Sequence, residues 1–113
     1  MRQGHEPIHS KYHTDPLYQP LILDFLDDLP KLGDQIKEMV DRADWSIAQQ
    51  LCHQLKGTAA TYGYDELASI VGQLETHSQN FHETKPSEAD EARFLVTEID
   101  QLIARMLAAK NQM

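Results

Sequence analysis

The chain has 113 residues, with 18 acidic against 10 basic side chains, a formal charge of −8 at pH 7 and a single cysteine. That length suits one domain with one core, and the acidic balance argues against nucleic acid and anionic membrane surfaces, both of which ask for basic patches. Cys52 excludes an internal disulfide and fits a reducing compartment. No apolar run approaches the roughly 18 residues of a membrane span and no signal-peptide core opens the chain, so a cytoplasmic location is expected.

Residues 1–14 are polar and show no sustained period, which predicts a loose lead-in. Asp15-Pro16 reads as a helix start, a capping acid followed by proline at the first helical position. From there to about Ala43, Ile22, Phe25, Leu26, Leu29, Leu32, Ile36, Met39 and Val40 form a helical stripe. Pro20, Pro30 and Gly33 interrupt it, which predicts a short or kinked extra N-terminal helix. Asp44 caps a second helix from Trp45 to about Thr61, and Trp45 is expected to cover the bundle end. Tyr62-Gly63-Tyr64 is a turn, with Gly63 supplying a left-handed backbone. Asp65 is expected to cap a third helix, which buries Leu67, Ile70, Val71, Leu74 and Phe81. Glu83 to Pro86 reads as a polar loop. Ser87 then caps a last helix whose Leu95, Val96, Ile99, Leu102, Ile103, Met106 and Leu107 recur at three and four. No segment alternates like a strand. The fold class is all-α, an antiparallel up-down four-helix bundle over residues 15–113.

The second helix carries an unusual set of residues. Cys52, Leu55 and Ala59 fall within roughly 40° of Ala48 on a helical wheel and mark the core side. His53 lies off that stripe, on the flank shared by Gln49, Lys56, Gly57 and Ala60. Glycine in a helix interior costs about 1 kcal/mol relative to alanine, so residue 57 is expected to give room to something. A bulky group arriving at the imidazole needs that room, and Lys56 one turn away suits an anionic one. Because the second and third helices meet at Gly63, residues equidistant from it share a height. His53 lies ten before it, and Gln73 and Glu75 lie ten and twelve after. Either could hydrogen-bond one imidazole nitrogen and leave the other free to attack.

From about Pro16 to Glu75 the chain resembles the histidine-containing phosphotransfer (HPt) domains of bacterial phosphorelays. The matching residues are Phe25, Leu29-Pro30, Asp44-Trp45, His53-x-Leu55-Lys56-Gly57, Gly63, Leu67 and Leu74-Glu75. The resemblance implies that His53 is the residue transiently phosphorylated, with Lys56 as charge partner of the phosphoryl group and Gly57 leaving it accessible. It also favours Glu75 over Gln73 as the imidazole's partner. It implies a phosphocarrier and not an enzyme, without a nucleotide site or cofactor of its own. Any divalent metal would sit on the partner. The implied partners are response-regulator receiver domains and a hybrid sensor histidine kinase, docked on a face expected to include Gln49, Ala60, Tyr64 and Ala68. A monomer is expected, and Met1 with a plausible final helix favours a free-standing protein.

The same residues bear on two other readings. A sensor-kinase phosphoacceptor domain follows its histidine with an acid and places a proline five residues on, where this chain has Gln54 and Thr58. A non-phosphorylated helical adaptor binding a signalling partner is the remaining alternative. His5, His9 and His13 are spaced by four, but Pro7 breaks any helix there and no acid or cysteine completes a metal-ligand set.

Overall fold

The computed structural model describes residues 6–79 and 86–110, the side chains of 86–88 excepted. Four helices follow in order, α1 (Gln19–Asp41), α2 (Trp45–Thr61), α3 (Asp65–Gln79) and α4 (Pro86–Lys110). Each packs on its two neighbours in a ring, α1 on α2, α2 on α3, α3 on α4 and α4 on α1, with α2 and α3 the most closely associated. No strand occurs among the described residues, and no described helix is long and apolar enough to cross a membrane. The core follows the helical stripes. Ile22, Leu26, Leu29 and Ile36 of α1, Cys52 and Leu55 of α2, Leu67, Val71 and Leu74 of α3, and Ile99 and Met106 of α4 are all buried. Trp45 is half-buried against this cluster, its ring edge-on to His77.

The first helix departs from expectation at both of its irregular points. Asp15 closes a turn, its carboxylate accepting from the Leu17 N–H at 2.9 Å, and the helix starts only at Gln19. Pro20, expected to interrupt, instead occupies the first helical turn, where its missing N–H costs nothing. Pro30 lies on the exposed face and the helix continues through it without a break. Gly33 faces α4, where a β-carbon would stand 2.9 Å from Ile103 Cδ1. It serves close packing of α1 on α4 and does not separate two helices. Asp65, expected as a cap, is the first residue of α3, and its carboxylate pairs with Lys11 at 3.0 Å. The helix start is completed by the Tyr64 carbonyl, which accepts from Ala68 N. Phe81 and the Glu83–Pro86 loop lie outside the described residues, as does the Ser87 side chain; α4 is already helical at Pro86.

The described part of the lead-in, residues 6–14, is not loose. Ile8 N–H donates to the Arg105 carbonyl, Arg105 Nε donates to the Glu6 carbonyl, and Lys11 N–H donates to the Gly63 carbonyl. Ser10 is buried, and its hydroxyl donates to the Tyr62 carbonyl while accepting from Tyr12 N–H. The segment closes one end of the bundle over the α2–α3 turn. A polar stretch hides this role because its attachments are mainly backbone groups, which carry no sequence signature.

Helices α1 and α2 end in the same way. After α1, Asp44 N–H bonds to Met39 O and Ala43 N–H to Val40 O; after α2, Tyr64 N–H bonds to Ala59 O and Gly63 N–H to Ala60 O. Both are six-to-one closures through a left-handed residue, Ala43 at φ +57° and Gly63 at φ +86°. Only the second has the residue type that this backbone prefers. Ala43→Gly should therefore raise stability by about 0.5–1 kcal/mol. Gly63→Ala should lower it by about 1 kcal/mol or more, because a β-carbon there also meets Tyr12 Cδ2 at 2.8 Å. Chemical denaturation of the two variants checks both signs.

Candidate functional site

The short connection at Gly63 folds α3 back along α2, so two polar stripes face each other beside the core. On α2 the stripe is Gln49, His53, Lys56 and Ala60, and on α3 it is Ala68, Gly72, Glu75 and Gln79, each spaced by three and four. Helix α2 can expose His53 because Cys52 and Leu55, close to it in sequence but turned away from it on the wheel, hold the other side in the core.

His53 is 71% exposed at its side chain, whereas Glu75 across the seam is only 12% exposed. Glu75 Oε2 stands 2.8 Å from His53 Nδ1, and Glu75 Oε1 stands 2.7 Å from Lys56 Nζ. One carboxylate thus serves both His53 and Lys56 of α2. The hydrogen bond from Lys56, supported by that from His53, holds the Glu75 carboxyl below its ordinary value of 4.5 against the opposing effect of burial. An ionised carboxylate has no proton to give, so Nδ1–H donates to it, and in the neutral ring the lone pair is then on Nε2.

Around this pair the structure separates the residues expected at the site. Glu75, and not Gln73, meets the imidazole; Gln73 is exposed on the other flank of α3. Gly57 lies one turn from His53, and a β-carbon added there would have nothing within 4 Å, so its missing side chain opens to solvent. Ala60 is exposed, and Gln49 and Ala68 are half-buried. Tyr64 is corrected. It is 3% exposed, its ring 5.9 Å from that of Phe25, and burial pushes its hydroxyl up to about 12. The left-handed step at Gly63 directs the next side chain inward, so Tyr64 belongs to the core and not to a docking rim. Cys52, beside His53 in sequence, is fully buried, and burial with the nearby Glu75 charge raises its thiol to about 12. It stays a protonated packing group.

Three residues escaped the sequence reading. Gln50, Gln54 and Gln79, with Gln49, surround a shallow open depression at His53 and Glu75. Glutamines on an exposed helix face look like ordinary surface, and only the pairing of α2 with α3 gathers them. Gly72 is the other addition, and it lies against Lys56. Among the described residues no three His, Cys, Asp or Glu side chains come together as a metal-ligand set, and His5 lies outside those residues.

Among the described residues, the bundle thus exposes one histidine beside a carboxylate on the adjacent helix. The model of the Hpt domain family matches residues 20–109, and the chain belongs to that family. Hpt domains act in phosphotransfer within two-component relays, as phosphocarriers that meet receiver domains and kinases. Comparison with curated proteins and with solved structures gave no match.

The Glu75 carboxyl carbon, followed by NMR, should titrate below 4.5, and Lys56→Ala should move it upward by removing the largest cause of the depression. The stability carried by this carboxylate has the sign of any depressed acid. It is present in full above pH 4.5 and is lost as pH falls through the lowered folded value. The difference in stability between wild type and Glu75→Gln should therefore shrink on the acid side. A difference that grows there would contradict the assignment.

Proposed function

We propose that His53 accepts a phosphoryl group at Nε2 from a receiver-domain aspartyl phosphate, or from a hybrid kinase, and passes it to another receiver aspartate. The observation that carries this reading is the exposed imidazole with Nδ1 held on Glu75, which leaves the lone pair on Nε2. In the forward step the Nε2 lone pair attacks phosphorus, the bond from phosphorus to the aspartyl oxygen breaks, and the aspartate leaves as its carboxylate. Nδ1 keeps its proton, so the ring becomes positive as the P–N bond forms, and the Glu75 carboxylate at 2.8 Å stabilises that charge. In the onward step the ring departs as a neutral imidazole, with no proton left to find. In this scheme Lys56, one turn from His53 and paired with Glu75 at 2.7 Å, is the cation that meets the phosphoryl oxygens, and Gly57 leaves their approach open.

The divalent metal and most of the charge stabilisation during transfer belong to the partner in this scheme. The footprint proposed for that partner includes Gln49, Ala60 and Ala68 beside His53. A small apolar patch next to a nucleophile suits a complex that must dissociate, with burial near or below about 1,200 Å² in total. The same reading makes the protein a cytoplasmic monomer, in keeping with its free, buried Cys52.

Incubation with a phosphorylated receiver is the direct test. Label should appear on the protein, acid-labile and alkali-stable, as a phosphoramidate on the Nε2 position by phosphorus NMR. His53→Gln should take none, with stability changed by no more than about 0.5 kcal/mol, as for other exposed positions. Label retained by that variant would refute the assignment. Gly57→Val and Ala60→Glu should each cut transfer by about tenfold or more while circular dichroism shows an intact bundle, since both add bulk or charge where a partner must approach. Wild-type rates in both would move the docking face elsewhere.

A further inference from the structure

Two glycines flank the His53–Glu75 pair, and their missing side chains do different things. At Gly57 the space is open. At Gly72 it is filled, since a β-carbon there would stand 3.1 Å from Lys56 Cδ and 3.9 Å from Lys56 Cγ, with nothing else from beyond the glycine's own stretch of helix within 4 Å. The aliphatic stem of Lys56 lies across bare α3 backbone at this point. Its ammonium then ends on Glu75 Oε1, one turn further along the same helix.

Glycine inside α3 is a poor helix former, so close packing of α2 on α3 would be the ordinary reason for it. The contacts speak against that. The atoms that would meet the added carbon belong to one flexible side chain, not to α2 backbone or to the core. The Gly72 carbonyl is also satisfied locally, by the Thr76 hydroxyl at 3.1 Å. A lysine stem loses much rotamer freedom when fixed, and a groove that admits it in one path reduces the alternatives it must abandon.

We propose that Gly72 is a positioning residue of the phosphotransfer site: its bare backbone is the groove that seats Lys56, which keeps Lys56 Nζ on Glu75 Oε1 and leaves Oε2 to His53 Nδ1. The proposal rests on the reading of His53 as phosphoacceptor and extends it to the second helix of the seam. It puts Gly72 at the head of a chain of contacts running through Lys56 and Glu75 to the imidazole. The groups that face Glu75 from α2 are Lys56, His53 and the Cys52 thiol, and Lys56 is the one that residue 72 controls.

The test compares Gly72→Val, Gly72→Ala, Lys56→Ala and the Lys56→Ala/Gly72→Val double variant. Alanine and valine are both better helix formers than glycine, so the single glycine variants should melt at or above the wild-type temperature. In Gly72→Val the Glu75 carboxyl titration should move upward to the position it takes in Lys56→Ala, with a smaller move in Gly72→Ala. Transfer from a phosphorylated receiver should fall in Gly72→Val by about the factor that Lys56→Ala costs, of order tenfold. In the Lys56→Ala background, Gly72→Val should change neither quantity. A Glu75 titration unmoved by Gly72→Val overturns the proposal, and so does a further loss of transfer in the double variant, because either means that residue 72 acts without Lys56. A wild-type protein that takes no label would instead refute the phosphotransfer reading, while the titration alone would still decide whether Gly72 seats Lys56.

Discussion

Glu75 accepts from His53 through one oxygen and from Lys56 through the other, and both donors reach it from the same neighbouring helix. This shared carboxylate fixes which imidazole nitrogen carries the proton and where the nearest cation rests before any partner arrives. A glutamine in its place would offer one acceptor oxygen and an amide that donates, so only one of the two donors could be served. The site therefore needs an acid at this position, shielded enough to keep its geometry and paired enough to stay ionised. Its 12% exposure and its depressed titration describe that compromise.

The carboxylate can do this only if α3 runs beside α2 in one register. That register is set at the turn, where Tyr64 N–H closes on Ala59 O and Gly63 takes its left-handed backbone. Sliding either helix by one residue would rotate its stripe by about 100° and part His53 from Glu75. The polar seam is then held in place by what lies beneath it, the buried Cys52 and Leu55 packed with Val71 and Leu74. The residues that look least functional determine where the functional ones meet.

Much of this was legible in the sequence because periodicity reports burial directly. The α2 stripe, its Asp44 cap, the Gly63 turn and the exposure of His53 all follow from local pattern, and the Asp44 carboxylate does accept from Ile47 N–H. The choice between Gln73 and Glu75 was not legible from spacing, since the handedness of the α2–α3 turn decides which flank of α3 meets α2. Tyr64 was misplaced for a related reason: proximity to the turn says nothing about which way a side chain leaves a left-handed residue. Pro20 and Pro30 read as interruptions because proline's effect depends on position. In the first turn it is harmless, and on an exposed helix face the surrounding packing can override it. The role of Gly72 was not legible either, since it depends on the path of a lysine from another helix.

The clasp made by residues 6–14 has a kinetic meaning as well as a structural one. The bond from His53 to Glu75 spans 22 positions, whereas that from Arg105 to Glu6 spans 99. Loop closure over the longer span costs about 1.3 kcal/mol more by chain statistics alone. Chain statistics thus favour early closure of the α2–α3 hairpin, whereas the Ile8 and Glu6 bonds of the clasp need α4 in place to offer Arg105. On chain statistics alone the pairing of His53 with Glu75 is expected to form before the Glu6–Arg105 end of the clasp closes. Opening of that end would break the Ile8–Arg105 and Arg105–Glu6 bonds and none of those made to Glu75.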